Sequence, residues 1–340
     1  MSIDHPTQVR DWHGVTPATF KNDILGAGQP AVIRDAVAHW PAVRAGRESP
    51  QAMARYLLDF DPRASADTMF ADPSIGGRFF YNDDITGLNF QRRPQPLAQS
   101  IEQLLQLMEA PNPPALYVGA VPTPGSIPAF ARDNSLPLVD PNVVPRLWLS
   151  NRVTVQTHYD LSFNVACVVA GHRRFTLFPP EQLVNLYVGP LEFTLAGQPI
   201  SMVRLEDPDH ERFPKFREAW RHAQVAQLGP GDALFIPYMW WHHVESLSPF
   251  NVLLNYWWDD APPWQGSAFE AMLHGLLAVR PLPTEKRELW RKIFDHYVFQ
   301  TGGDPVAHLT PRQQGIQGPM SPQLAELMRQ HIGNTLLRRR

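Results

Sequence analysis

Three of the chain's 13 histidines stand where they could share one ion. His158 opens the triplet His158-Tyr159-Asp160 within THYDLSFN, and His242 and His243 are adjacent within WWHHVES. Residues two apart on a strand face the same side, so His158 and Asp160 project together while Tyr159 faces away. An imidazole and a carboxylate from neighbouring positions, joined by an imidazole from a distant strand, occupy one face of an octahedral metal. The opposite face stays open for substrate and O2. Two histidines and one carboxylate select non-haem Fe(II). A catalytic zinc with His and Asp ligands also matches the residue types, although HExxH is absent. Alternation puts His242 and His243 on opposite sides of their strand and leaves open which one ligates. An isolated H-x-D is a weak signal, since ordinary strand residues give the same string. The distant pair strengthens it, because GPGDALFIPYMWW places a tight turn and a buried strand directly before the histidines.

The elements that must hold these residues are short, because 35 prolines punctuate the chain. Helices are expected at about 16–25 and 50–59, with a buried strand in PAVIRDAV between them. Residues 96–110 read as a clearer helix, with Pro96 at its start and Leu97, Ile101, Leu104, Leu105 and Met108 at helical spacing. From about 115 to 260 the pattern changes to β-branched and aromatic runs broken by Gly and Pro: ALYVGAV, RLWLSNRVTVQTHYD, FNVACVVAG, RRFTLFPP, DALFIP, HHVESL and NVLLNYWW. Such closely spaced strands indicate an antiparallel sandwich or barrel. Beyond Pro262 and Pro263 helices return at 267–280 and 284–300. A third begins at SPQLAELM, with Ser321 as N-cap and Pro322 in the first helical position.

Composition narrows the function classes. A chain of 340 residues that is 44% hydrophobic can bury a large core, and a charged fraction of 19% argues against disorder. With a net charge of −3 and only a terminal Arg338–Arg340 run, no nucleic-acid partner is expected. The single cysteine, Cys167, excludes disulfide scaffolds and cysteine-based zinc sites and fits a reducing compartment. MSIDHPTQVRDWHG does not read as a signal peptide, and no apolar run is long enough to span a membrane, so the expected location is the cytoplasm.

THYDLSFN, GHRRFTLFPPEQLVNLY, DPDHERFPKF, GPGDALFIPYMWWHHVESL and NVLLNYWW together resemble the JmjC-type, cupin-8-like 2-oxoglutarate dioxygenases, including the asparaginyl hydroxylase that inhibits hypoxia-inducible factor. The resemblance covers about residues 115–260. It implies a mainly β fold with flanking α elements: a double-stranded β-helix of the cupin or jelly-roll type, with N-terminal and C-terminal helices. It also implies Fe(II), 2-oxoglutarate and O2, and hydroxylation of a protein, peptide or small molecule with release of succinate and CO2. By the family pattern the metal ligands are His158, Asp160 and His242. Arg173 stands where the family has a lysine that grips the far carboxylate of 2-oxoglutarate. It has the parity of Phe175 and Leu177, so it faces in and Arg174 faces out. A guanidinium can hold a carboxylate by two parallel bonds. Tyr117 matches a tyrosine that bonds the same carboxylate, and Asn164 and Asn255 match asparagines near metal and cosubstrate. Trp257 matches an aromatic beside the site and equally fits a core tryptophan.

The chain departs from the family at Val155, where a threonine is usual, and at Gly119, where the asparaginyl hydroxylase has a glutamine. Loops at about 71–95 and 121–146 are expected to ring the barrel mouth and set specificity. A non-catalytic cupin-fold binding protein and a metal hydrolase or isomerase on the same barrel are the alternatives. Residues 1–262 are expected to form the catalytic domain. Residues 263–340 form a helical extension, which in the resembling hydroxylase mediates a homodimer.

Overall fold

The structure, a computed structural model, describes residues 5–337, so Arg338–Arg340 and residues 1–4 of the N-terminal stretch lie outside it. Seven strands precede the barrel: β1 (Thr7–Gln8), β2 (Arg10–Trp12), β3 (Ala31–Ile33), β4 (Ser65–Ala71), β5 (Arg78–Phe79), β6 (Gln91–Pro96) and β7 (Ala115–Pro122). The barrel strands follow as β8 (Pro145–Ser150), β9 (Thr154–His158), β10 (Phe163–Ala170), β11 (Arg173–Phe178), β12 (Gln224–Leu228), β13 (Ala233–Ile236), β14 (Trp241–Ser246) and β15 (Asn251–Trp258), all but β12 from the β-branched and aromatic runs.

Two sheets result. The six-stranded sheet has the order β1-β12-β11-β14-β9-β5, and the nine-stranded sheet the order β2-β3-β13-β10-β15-β8-β7-β4-β6. Strands β8 to β15 thus divide between the sheets as β12-β11-β14-β9 facing β13-β10-β15-β8. That is a double-stranded β-helix, the jelly-roll form of the cupin fold. Gly171, at φ 74°, makes the tight crossing from β10 to β11. A Cβ there would stand 2.4 Å from the Asn251 Oδ1.

Alternation assigns the faces. On β10, Ala166 and Val168 point between the sheets and meet Phe175, Leu177, Leu234 and Leu253. Val165, Cys167 and Val169 point outward into a second core. There Trp40, Val43, Met53, Leu97, Ile101 and Phe130 cover the sheet from helices Pro41–Glu48, Pro50–Leu58, Leu97–Leu107 and Pro128–Asp133 and from the residue before the first of them. Each such large apolar side chain contributes about 1.5–3 kcal/mol through burial. The other sheet's outer face is covered by the segment between β11 and β12, where Phe213 and Phe216 pack on Tyr159, Phe178 and Trp241.

Some elements differ from the sequence expectation. The helix at 16–25 begins as Pro17–Thr19, capped by Thr16, and widens into a π-helical stretch Phe20–Leu25. The PAVIRDAV strand shortens to Ala31–Ile33, because Asp35 turns the chain at φ 55°. Strands β1, β2, β4, β5, β6 and β12 and the Pro41–Glu48 helix were not anticipated. β6 holds two prolines and sits at the sheet edge, where a missing N–H is tolerated.

The chain divides into two compact units between Asp259 and Asp260. The second contains helices Ala268–Ala278, Thr284–Tyr297 and Pro322–Leu337. Ser267 accepts a hydrogen bond from the Glu270 N–H, and Ser321 accepts one from the Leu324 N–H, as N-caps do. Among the described residues no helix is long and apolar enough to cross a membrane.

Candidate metal centre

Adjacent antiparallel strands β9 and β14 bring the histidines together. His158 pairs with His242 in register, and their ring centroids lie 4.2 Å apart. Asp160 follows the end of β9. The Met239 N–H donates to the Asp160 carbonyl at 3.1 Å, which ties the residues just before β14 to the carboxylate-bearing turn. Met239 itself holds φ 60°, a left-handed conformation that a side chain adopts only at a cost. The result is a cluster of His158, Asp160 and His242 whose ligand atoms all lie within 4.8 Å of one another.

The protonation states suit ligation. His158 Nδ1 lies 2.8 Å from the Gln156 carbonyl and His242 Nδ1 lies 3.0 Å from the Trp240 carbonyl. A carbonyl only accepts, so each Nδ1 carries a proton, which leaves Nε2 as the nitrogen to offer a metal. Burial, reinforced by His158 alongside, lowers the His242 pKa to about 4 and keeps that ring neutral. His242 Nε2 stands 3.6 Å from Asp160 Oδ2, and that buried oxygen has no hydrogen-bond partner. Two free imidazole nitrogens and an unpartnered carboxylate oxygen fit one divalent cation, which would supply the missing partner.

The geometry separates the neighbouring histidines. A register shift between β14 and β9 sets two steps, His242 to Val244, against three, His158 back to Val155. The extra residue is a bulge. It lets both Val155 and His158 line the cavity and turns Thr157 outward. Thr157 Oγ1 there meets His243 Nδ1 at 3.2 Å. His243 is buried on that outer side, with Nε2 3.5 Å from Glu206 Oε1, and it holds the Glu206 carboxyl down at about 2. His242 belongs to the ligand cluster, and His243 does not.

A cavity of about 280 Å³ opens beside the cluster and is lined by all the candidate residues: His158, Asp160, His242, Tyr117, Asn164, Arg173, Asn255 and Trp257. Arg173 on β11 is 2% exposed, and its Nε and Nη2 have no acceptor. Burial lowers its pKa to about 10, which leaves it cationic at neutral pH. Arg174 points out and pairs with Glu245. Burial pushes the Tyr117 phenol up, so it stays a neutral donor. Trp148 Nε1 donates to Asn255 Oδ1 at 2.7 Å, and Asn255 Nδ2 donates to Asn164 Oδ1 at 3.3 Å, which fixes both amides. Trp257 Nε1 is buried without an acceptor.

Other lining residues carried no sequence signal that distinguished them. Gln156 is locked by donating to the Ser201 and Val203 carbonyls, each at 2.8 Å, and by accepting from Arg78 Nε at 3.2 Å. Asp67, Met69 and the segment holding Leu195 and Ile200 also line the cavity. Of the two loops expected at the mouth, 71–95 contributes Phe79, Phe90 and Arg92. The 121–146 loop contributes none, which corrects that expectation. It folds into short helices whose Ile127 and Phe130 are drawn into the outer core.

Among curated proteins, the chain is 33% identical over 147 residues to "HSPB1-associated protein 1" of Bos taurus, covering 40% of this chain and 30% of that protein. It is 32% identical over 139 residues to "Lysine-specific demethylase JMJ31" of Arabidopsis thaliana, covering 39% and 25%. It is 27% identical over 246 residues to "Jumonji C domain-containing protein 5" of Drosophila melanogaster, covering 71% and 57%. The matches span between a quarter and somewhat over half of these relatives' own lengths. The family described as a cupin-like domain matches residues 17–263, which takes in the whole double-stranded β-helix and all its cavity-lining candidates, and the chain belongs to that family.

Proposed function

We propose that this chain is an Fe(II)- and 2-oxoglutarate-dependent oxygenase that hydroxylates a protein, peptide or small-molecule substrate and releases succinate and CO2. One observation carries the proposal: the same cavity holds the His158–Asp160–His242 set and the buried, acceptor-less guanidinium of Arg173. A buried cation without a counter-ion is costly, and a dianionic cosubstrate supplies the counter-ion. A hydrolase or isomerase built on the metal alone has no use for that cation.

His158 and His242 present Nε2 and Asp160 presents its carboxylate to hold Fe(II). Bound Fe(II) supplies the redox chemistry that couples oxidation of 2-oxoglutarate by O2 to hydroxylation of the substrate. Arg173 donates through Nε and Nη2 to the far carboxylate, and the neutral Tyr117 hydroxyl donates to the same group. The fixed Asn164 and Asn255 amides line the path between carboxylate and metal. Phe175, Ile236, Val244 and Leu253 close the inner end and keep water from the reacting groups. The narrower likeness to an asparaginyl hydroxylase forms no part of the proposal, because Gly119 and Val155 line the cavity in place of that family's glutamine and threonine.

Incubation with Fe(II), ascorbate and 2-oxoglutarate, without any added substrate, tests the assignment. Succinate above a His158→Ala control is the expected result. Succinate at the control level would leave a metal- or ligand-binding protein without turnover.

A further inference from the structure

The cavity has two chemically different ends. The end near the cluster carries groups that lack partners, Asp160 Oδ2 and the Arg173 nitrogens. The end toward β4, β5 and β6 is walled by Met69, Phe79, Phe90 and Leu195, all buried and packed in one apolar cluster. Its two charged residues satisfy each other. Arg92 Nε donates to Asp67 Oδ2 at 3.0 Å, Nη2 donates to the same carboxylate, and Nη1 donates to the Leu195 carbonyl at 3.2 Å. The carboxylate and the guanidinium already pair with each other, so an incoming ammonium or anion has to compete with an existing ion pair. Gln198, the other polar side chain of this lobe, is neutral.

Magnitudes favour a neutral occupant. A cation over the Phe79 or Phe90 ring gains about 0.5–2 kcal/mol. Removing its hydration without a counter-ion costs several kcal/mol. An apolar group gains about 25 cal/mol per Å² buried. Size limits it as well. The cavity's volume of about 280 Å³ falls at the small end of ligand pockets, about 300–1,000 Å³, and a five-carbon diacid takes the metal end.

Building on the oxygenase proposal, we infer that the group presented for hydroxylation is uncharged, apolar and no larger than one side chain: an aliphatic or aromatic side chain of a peptide, or a small molecule of that character.

The test is binding, which needs no turnover. The full-length protein is loaded with redox-inert Zn(II) and 2-oxoglutarate, and affinities are ranked by ligand-observed NMR. The probes are the N-acetyl amides of leucine, phenylalanine, lysine and aspartate, and the pentapeptides Gly-Gly-X-Gly-Gly with the same four residues at X. The leucine and phenylalanine probes are expected to bind at least about tenfold tighter than the charged ones. Leu195→Asp, which puts an unpaired carboxylate in the lobe, shifts the ranking toward lysine. Gln198→Asp, on the same loop and less buried, does the same if the first variant is unstable. Tighter pentapeptides identify a peptide side chain as the source, and tighter amides a small molecule; both support the inference. Charged probes that bind equally well, no binding by any probe, or a ranking that both variants leave unchanged would overturn it. The expected ranking without succinate formation in the absence of substrate would instead overturn the oxygenase assignment and leave the lobe's preference standing.

Discussion

His158 and His242 use the same local device: each Nδ1 donates to the carbonyl two residues back, so the strand that carries the ligand also sets its tautomer. His243, one residue on, sets Nδ1 against Thr157 and leaves Nε2 facing Glu206 at 3.5 Å, away from the cluster. His158→Ala is therefore expected to abolish metal binding, whereas His243→Ala lowers thermal stability but leaves metal content close to one per chain. Isothermal titration with Zn(II) or Co(II) checks this, and loss of metal in His243→Ala but not in His242→Ala would reverse the assignment. For Arg173, a charge-assisted pair is worth about 1.5–3 kcal/mol. Arg173→Ala should weaken 2-oxoglutarate about tenfold to a hundredfold in titrations with metal present. Arg173→Lys, which keeps the charge but loses the fork, should fall between; unchanged affinity in the alanine variant refutes the anchor. The residue types and the parity of Arg173 were readable from sequence. The choice of His242 over His243 came from the family pattern alone, since alternation says only that they diverge and the β9 bulge that orients Thr157 has no spacing signature.

The elements that place these residues were unevenly legible. Of strands β8 to β15, all but β12, QVAQL, announced themselves as β-branched or aromatic runs. Strand β6 did not, because its two prolines argue against a strand anywhere but an edge. The Pro41–Glu48 helix was also silent, since PAVRAGRE has few apolar residues to mark a face. The helix buries Ala42 and Val43 in the outer core and also approaches the barrel closely. A Cβ on Gly46 would stand 2.3 Å from the Val169 carbonyl oxygen and 2.9 Å from the Ala170 Cβ, both on β10. In an exposed helix, Gly→Ala stabilises by about 1 kcal/mol. Here overpacking opposes it by about 1–3 kcal/mol, and backbone atoms cannot swing aside as a side-chain end can. Gly46→Ala is thus expected to lower the melting temperature by several degrees, at about 2–4 °C per kcal/mol for a unit of this size. A raised melting temperature would show that the helix does not approach the sheet so closely.

On the scale of the whole molecule, the helix expected at 284–300 carries a broad apolar stripe. The Thr284–Tyr297 helix buries none of its residues, and Leu289, Trp290, Ile293, Phe294, Tyr297 and the following Val298 are between 37% and 62% exposed. Scattered apolar residues are normal on a surface, but residues recurring at one-turn spacing make a continuous patch of the kind that marks an interface. The opposite face, with Glu285, Glu288, Arg291, Lys292 and Asp295, is amply charged, while Lys286 stands at the N-terminal end of the stripe. We propose that a second copy of this chain covers the patch. A single stripe can satisfy itself across a two-fold axis, which makes the contact isologous. Light scattering at micromolar concentration should then give a dimer for the full chain and a monomer for one ending at Gly266. Ile293→Glu should also dissociate it, since burying a carboxylate at the axis sets two like charges together. A full-length monomer refutes the dimer, whereas a truncated chain that remains dimeric moves the interface into the barrel unit.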